Sequence, residues 1–598
     1  MKVGIEIHQR LDTHKLFCNC PSRLVEKEPD LLITRQLHPV FSELGEIDEA
    51  SRAEYEKRKV FEYQVFHESN CLVEIDEEPP HTMNEDALKI VLGVAKQLHA
   101  KPVDEVHIMR KVVIDGSNTS GFQRTSVVAL NGHLKSSKGT VRIPTIALEE
   151  ESAGIVASES RRVTYRLDRL GIPLIEIATD PDIKDGEHLR EVAEKLGMIL
   201  RATGRVARGL GTIRQDVNIS TAGGARVEIK GAQELKMLPL YVENEEQRQV
   251  ELVKILLELR KRKALPVELN PVDVTSVFSK TDARLIRKGV DSGMVAMAQK
   301  LAGHKGLLGR QIQKGRRYGT ELSDYAKLAG VKGIIHGDED LSKYKISEAE
   351  EKGLGKKLDL GGDDVFVMVV APAEQATKAL EHAVRRASMD FVPEETRKAR
   401  PDGTSSFMRP LPGRARLYPE TDVPPIPVDR DLLASVESYE SPEEKRKRLS
   451  KMLNPEMAER MMRSRNIHLF EKLVEKGADP MLAATTLEDT VVSLRREGIK
   501  FKDLEGALLE LFREYNKGKF VKAAIPEILR AVAKGASVDS VLRVYRLQKV
   551  SGRDLGKLVE EEGYDMKKVM QKHRLQVDPA EVAEIIKKKP KKRHSEYR

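Results

Sequence analysis

Residues 3–10 read Val-Gly-Ile-Glu-Ile-His-Gln-Arg, and they set out a chemistry at once. Run as a strand, the stretch puts Glu6, His8 and Arg10 on one side and Ile5 and Ile7 on the other, because strand side chains alternate. A carboxylate and an imidazole two residues apart on one strand face are placed to grip one cation. Alone, the pattern equally describes an edge strand with a solvated polar face. Later segments repeat it. Glu149, Glu150 and Glu151 follow an apolar run, where three consecutive carboxylates need a cation or solvent. Glu176 lies within Leu-Ile-Glu-Ile-Ala, where a carboxylate amid apolar neighbours needs a partner. Residues 212–220 alternate so that Arg214, Asp216, Asn218 and Ser220 face one way, and 227–230 place Glu228 and Lys230 together. A half-exposed antiparallel sheet alternates in the same manner. The residue types are what point to a site, since Glu, His, Asp, Asn and Arg bind divalent cations and phosphates.

Basic groups stand nearby in the sequence. Arg110 and Lys111 precede the glycine-bearing loop 115–123, read either as a substrate wrap or as a wide hairpin. Residues 406–422 carry Arg409, Arg414, Arg416, Glu420 and Asp422, which reads as a phosphate-holding loop or as a solvated Pro-rich linker. Cys18 and Cys20 offer two zinc ligands; a four-coordinate ion needs two more, and Cys71 with His67 or His81 is what the sequence has to offer. Reduced thiols without metal are the other reading. No Gly-x-x-x-x-Gly-Lys-Ser/Thr occurs, so a nucleotide site here is not a P-loop.

The elements that must position these residues follow from periodicity. Residues 46–68 are charged and helical in character, and Asn84 caps an amphipathic helix running to Leu98. From 103 to about 141 the period is two, with Gly116, Gly121 and Gly132 punctuating short strands. Helices are expected over 186–203 and 233–261, then a strand at 364–372 running into a helix at 374–387. Beyond Ser441-Pro442-Glu443-Glu444, a helix start with acids facing the dipole, the chain reads as helical. The expectation is a multidomain α+β protein: an antiparallel-sheet cradle domain over 1–274 and 401–435, an inserted α+β domain over 275–400, a helical bundle over 436–502, a helical tail domain over 503–586, and a basic disordered tail over 587–598.

At 598 residues several domains are required, and with a third of residues charged and 40% apolar a sizeable core is available. The net charge of +8 permits a polyanionic partner without demanding one. No apolar run approaches the ~20 residues of a membrane span, and the first residues lack the regions of a signal peptide, so a cytoplasmic protein is expected. Three cysteines are too few for a disulfide framework.

Gly4-Ile-Glu-Ile-His8, the stretch from Asp168 to Ile177, Arg214-Gln-Asp-Val-Asn-Ile-Ser220 and Tyr418-Pro-Glu-Thr-Asp422 resemble the GatB/GatE family of tRNA-dependent amidotransferase subunits. The segment near 294–309 looks like the insertion domain of bacterial aspartyl-tRNA synthetases, which points to the GatE branch. The resemblance implies a cradle that binds the 3′ end of misacylated Glu-tRNA(Gln). With ATP and Mg²⁺ such a protein phosphorylates the glutamate side chain, and ammonia displaces the phosphate to give Gln-tRNA(Gln). It acts as an ATP-dependent carbon–nitrogen ligase with glutamine or asparagine as amide donor. A partner amidase resembling an asparaginase delivers the ammonia through a protected channel, in a heterotetramer.

By motif position the resemblance puts the cation ligands at His8, Glu150 and Glu176. It makes Glu6 and Glu228 neighbours that hold a second ion or guide ammonia, and Arg110 and Lys111 match a basic pair beside the channel and active site. From the residues themselves, Asp216 is expected to join the catalytic acids, and Arg110, Lys111, Arg214, Lys230, Arg409 and Arg416 to contact substrate and ATP. The acidic run is one residue longer than the family's, which leaves Glu149 and Glu151 open as the middle ligand. The Cys-x-x-Cys half of the family's zinc motif is missing. The helical tail is expected to grip the tRNA body through phosphates, and the insertion to help select tRNA(Gln). The competing readings are a non-catalytic tRNA-binding module, with structural acidic faces, and a metal-dependent hydrolase that turns over without ATP.

Overall fold

A computed structural model describes residues 1–41, 45, 47, 49–55, 58–159, 161–411 and 417–588, omitting the side chains of 49, 50 and 53. The chain divides into two compact units, Met1–Tyr439 and Glu440–Arg598.

The first unit is organised by one eleven-stranded sheet. Its strands are β1 (Lys2–Arg10), β2 (Lys101–Pro102), β3 (Ile108–Val112), β4 (Phe122–Ser136), β5 (Gly139–Glu150), β6 (Pro173–Ala178), β7 (Ile213–Ser220), β8 (Val227–Lys230), β9 (Glu395–Ala399), β10 (Ser405–Pro410) and β11 (Leu417–Pro419). They lie in the order β10-β9-β8-β7-β1-β6-β5-β4-β3-β11, with β2 beside β4. Every pairing is antiparallel except that of β8 with β9. The first strand made is therefore in the middle. Val3, Ile5 and Ile7 are fully buried on one face, where the helices α1 (Glu85–Gln97) and α2 (Gly186–Ala202) share their core. Burial of each such side chain stabilises by roughly 1.5–3 kcal/mol. Asn84 caps α1 by accepting from the Ala87 amide at 3.0 Å, with Glu85 and Asp86 in the first turn. Gly132 does not end a strand as its type suggests. It lies inside β4, where a Cβ would stand 2.9 Å from Ala100 Cβ and 3.0 Å from the Leu98 carbonyl oxygen.

Beside the large sheet is a four-stranded one of Leu31–Arg35, Val60–Val65, Arg162–Arg166 and Gly154–Ser158. Among the described residues of 46–68, the helix covers Glu49–Tyr55 and a strand covers Val60–Val65. Phe61, Tyr63 and Val65 alternate into a core as strand residues, their aromatic and β-branched side chains packing better on a pleated face. Loop 115–123 is tied to this sheet: Tyr63 and Tyr165 donate to the carbonyls of Gly116 and Asp115.

A smaller sheet of Val272–Asp273, Val295–Leu301, Val365–Ala371 and Ile335–His336 follows the helix α3 (Leu238–Lys261). It packs helices Tyr318–Ala326 and Ala373–Ala387 on one side, with the second half of α3, and Arg284–Asp291 and Glu348–Lys357 on the other. The expected insertion boundary at 400 falls past β9, which pairs with β8 in the large sheet. Glu-Thr-Arg-Lys-Ala carries no apolar alternation that would mark it as a strand.

In the second unit, helices between Pro442 and Val544 share one core that runs from Leu449 to Leu547. The expected dividing line at 502/503 crosses it, since Phe470 and Leu473 belong to the same cluster as Leu508 and Phe512. Helices Gly552–Glu561, Met566–His573 and Pro579–Lys587 close on a separate small core of Leu555, Val559, Val569, Val577 and Val582. The basic tail lies outside the described residues apart from Lys587 and Lys588. No described helix is long and apolar enough to cross a membrane.

Candidate functional site

Register carries the polar residues of the large sheet into rows. His8 of β1 stands opposite Glu176 of β6 on one side and Arg214 of β7 on the other. Glu6 stands between Ala178 and Asp216. Gly4, Asn218, Glu228, Thr396 and Arg409 continue a third row across five strands. All lie on the face opposite the α1–α2 core, because Glu6 and His8 alternate with Ile5 and Ile7.

Two acid clusters result. In the first, His8 Nε2 is 3.2 Å from Glu176 Oε2 and 3.4 Å from Glu149 Oε1. One ligand atom from each of the three residues lies within 4.8 Å of the others. In the second, Glu6, Asp216 and Glu228 meet the same criterion. Asn218 donates to Glu6 at 3.1 Å, and Lys230 Nζ bridges Asp216 at 2.7 Å and Glu228 at 2.8 Å. Thr396 donates to Glu228 Oε2 at 2.9 Å.

The electrostatics agree with a cation site. Burial, then the Glu176 and Glu228 carboxylates, push Glu6 up to about 7, against Lys230 and His8. Burial disfavours a charged His8, yet the Glu176 hydrogen bond and the charges of Glu149, Glu176 and Asp216 raise it to about 9. Burial likewise opposes ionisation of Glu176, and the His8 hydrogen bond and charge hold it down at about 2. Several carboxylates thus focus negative potential around one imidazole nitrogen, and together these atoms form a donor set for a divalent cation.

Glu150 is not in this cluster. Glu149 follows Ala147 by two residues on β5, which puts it on the Glu176 side, so the next side chain points to the opposite face. There Glu150 lies 3.5 Å from Arg124 and accepts from its amide, beside Phe17, Cys18 and Glu74, and its burial raises its pKa. Glu151, the other open alternative, pairs with Arg10 at 2.9 Å and Arg214 at 2.7 Å. The same parity splits the basic pair. Lys111 reaches Glu149 at 2.8 Å, whereas Arg110 turns to the far face and binds Glu420, which Arg124 also holds at 2.7 Å. Arg409 ends the third row on β10, its buried Nε without a hydrogen-bond partner among the described residues. Arg414 and Arg416 lie outside the described residues. Thr396 escaped the sequence reading because it fell in the expected insertion; the signal was the alternation Glu395-Thr396-Arg397.

A model of the GatB/GatE catalytic domain matches residues 1–434. The E subunit of glutamyl-tRNA(Gln) amidotransferase from Thermococcus gammatolerans is 49% identical over 505 residues, 83% of this chain and 80% of that protein. The protein of the same name from Methanocaldococcus jannaschii is 47% identical over 517 residues, 84% and 82% of the two chains. The one from Pyrococcus furiosus is 48% identical over 505 residues, 83% and 80%. The chain belongs to the GatB/GatE family.

The match ends five residues before the unit boundary at 439/440 (439 − 434 = 5) and so takes in both acid clusters. It also takes in the cysteines. Cys18, Cys20, Cys71 and Glu74 bring one ligand atom each within 4.8 Å of one another. Glu74 stands three residues after Cys71. Neither His67 nor His81 belongs to the group. The Cys18 and Cys71 thiols hydrogen-bond to the Cys20 sulfur and lower it to about 4, a thiolate ready for a metal. Lys15, fully buried, pairs with Glu74 at 3.0 Å. Three sulfurs and one carboxylate oxygen fit the four-coordinate preference of zinc.

Proposed function

We propose that this GatB/GatE chain is the tRNA-handling subunit of an ATP-dependent amidotransferase that converts Glu-tRNA(Gln) into Gln-tRNA(Gln). The names of the relatives suggest the substrate. The observation that carries the chemistry is the convergence of His8, Glu149 and Glu176 on one sheet face. A carboxylate is a poor electrophile, so the glutamate side chain is first phosphorylated, and ammonia from an asparaginase-like amidase partner then displaces phosphate. Mg²⁺ bound with ATP neutralises charge on the phosphate oxygens, the main demand of phosphoryl transfer. His8, Glu149 and Glu176 are the residues to hold it.

Around them, Lys111, Arg214 and Lys230 supply positive charge to phosphate oxygens, and Arg409 adds a guanidinium at the end of the third row whose buried Nε has no hydrogen-bond partner among the described residues. Glu6, with its carboxyl near 7, is suited to take the proton that ammonia gives up. Cys18, Cys20, Cys71 and Glu74 hold a structural zinc that ties the segment after β1 to the loop after Val65. The helices of the second unit grip the tRNA body, the insertion contributes to choosing tRNA(Gln), and two copies of each protein assemble.

The test is reconstitution of the chain with the amidase, Glu-tRNA(Gln), ATP, Mg²⁺ and an amide donor, omitting each in turn. Loss of amidation in His8→Ala and Glu176→Gln, with tRNA affinity kept, supports the reading. Activity surviving both substitutions would leave a tRNA-binding module, and turnover without ATP would leave a hydrolase.

A further inference from the structure

Behind the third row is a group of ions that the reaction does not explain. Arg248, Glu245, Glu321, Arg386, Glu395 and Arg397 are all at most 1% exposed. Arg397 reaches Glu321 at 3.1 Å and also binds Glu395, and Arg248 lies 3.2 Å from Glu395 and 2.9 Å from Glu245. Tyr325 donates to Glu395 Oε2 at 2.7 Å. Glu321, Tyr325 and Arg386 come from the insertion, Glu245 and Arg248 from α3, and Glu395 and Arg397 from β9.

Thr396 lies between two members of this group. Its neighbours face the ion cluster, and its own side chain faces the acid cluster, where it donates to Glu228. Glu228 Oε1 in turn engages Lys230, which holds Asp216. Buried ion clusters of this kind add little net stability, but removing one partner leaves an uncompensated charge, so their geometry is held tightly. A strand whose two outward neighbours are fixed has its middle side chain fixed as well.

We propose that Thr396 is a positioning residue for Glu228, and that the insertion acts on the acid clusters through it: Tyr325 and Glu321 fix β9, β9 fixes Thr396, and Thr396 fixes the carboxylate. The proposal rests on the cation reading, with Glu6, Asp216 and Glu228 holding a second ion beside the one at His8, Glu149 and Glu176. It gives the insertion a route to the site that needs no contact with substrate.

The test uses the full chain and Mn²⁺, which replaces Mg²⁺ at oxygen-rich sites and is read by electron paramagnetic resonance. Thr396→Val keeps the shape and removes the hydrogen bond. Mn²⁺ affinity is expected to fall roughly tenfold, the usual effect of losing a partner of a ligand. Thr396→Ser should restore it. Tyr325→Phe, which touches neither acid cluster, should weaken binding in the same direction by about threefold while the melting temperature confirms a folded chain. Unchanged Mn²⁺ affinity in a folded Thr396→Val chain overturns the relay and leaves the cation reading standing. A wild-type chain that binds no Mn²⁺ overturns both.

Discussion

Substituting Glu149 and Glu150 separately tests the site most directly, because adjacent residues of the same type are assigned to opposite faces. Glu149 Oε1 lies 3.4 Å from His8 Nε2. A divalent cation held by both atoms lies no farther than this from the carboxylate and gains, by Coulomb's law, at least about 2.4 kcal/mol from it even at the dielectric of water, and several-fold more at the effective value of about 20 for protein sites. At about 1.4 kcal/mol per factor of ten, Glu149→Gln should cost at least about fiftyfold in Mn²⁺ affinity. Glu150→Gln should change that affinity by less than about threefold. It also removes a carboxylate whose burial opposes ionisation, while Arg124 keeps Glu420, so unfolding free energy should move by no more than about 1 kcal/mol. Titration calorimetry with Mn²⁺ on each chain, and phosphate release from ATP in the reconstituted complex, read both quantities. The reverse ranking, with Glu150→Gln losing the cation and Glu149→Gln keeping it, would refute the parity argument.

Acid should unfold the first unit through Glu420, among others. Burial raises its pKa, and Arg110 and Arg124 overcome that and hold it at about 2 against an ordinary 4.5. A depressed carboxyl contributes its stability above the unfolded value and loses it as pH falls toward 2, up to about 3 kcal/mol in all. Urea midpoints between pH 5 and 2 should drop less steeply in Glu420→Gln. A chain ended at Tyr439 should melt cooperatively and keep Mn²⁺ binding, whereas one ended at 502 strips Leu508, Leu511 and Phe512 from Phe470 and Leu473 and should bind a hydrophobic dye and melt earlier. Total metal analysis should find one zinc per chain, released by Cys71→Ser and retained more weakly by Glu74→Gln; wild-type chain free of zinc after expression in zinc-supplemented medium would remove that centre.

Much of the site was legible because alternation is a local property. Glu6, His8, Glu176, Asp216 and Glu228 each sit in a segment whose period of two can be counted, and register only had to bring those segments together. Parity at the end of β5 was not legible, since three glutamates in a row satisfy either phase, and only the pairing of Leu174 with Glu149 decides between them. The same held for Arg110 and Lys111, two cations side by side that a strand must send apart. β9 was hidden for a different reason. Its three buried residues are polar: Glu395 and Arg397 are satisfied by ions from α3 and the insertion, partners that lie 147 and 76 residues away in the chain (395 − 248 and 397 − 321), and Thr396 by Glu228 of β8. In the helical unit the turn at 497–503 resembles a linker, and nothing local says that one core continues across it.

The central place of β1 governs how the molecule can be made. His8 pairs with residues 176 and 214, so β1, made before both, has neither neighbour until 168 and 206 further residues have been added (176 − 8 and 214 − 8). At about 5–20 residues per second the wait is on the order of ten to forty seconds. During it Val3, Ile5 and Ile7 are a naked apolar ribbon beside open backbone. A nascent chain of this design calls for a chaperone early in synthesis, and charge reversal at the exposed Lys2 would change yield in the cell more than stability in the tube.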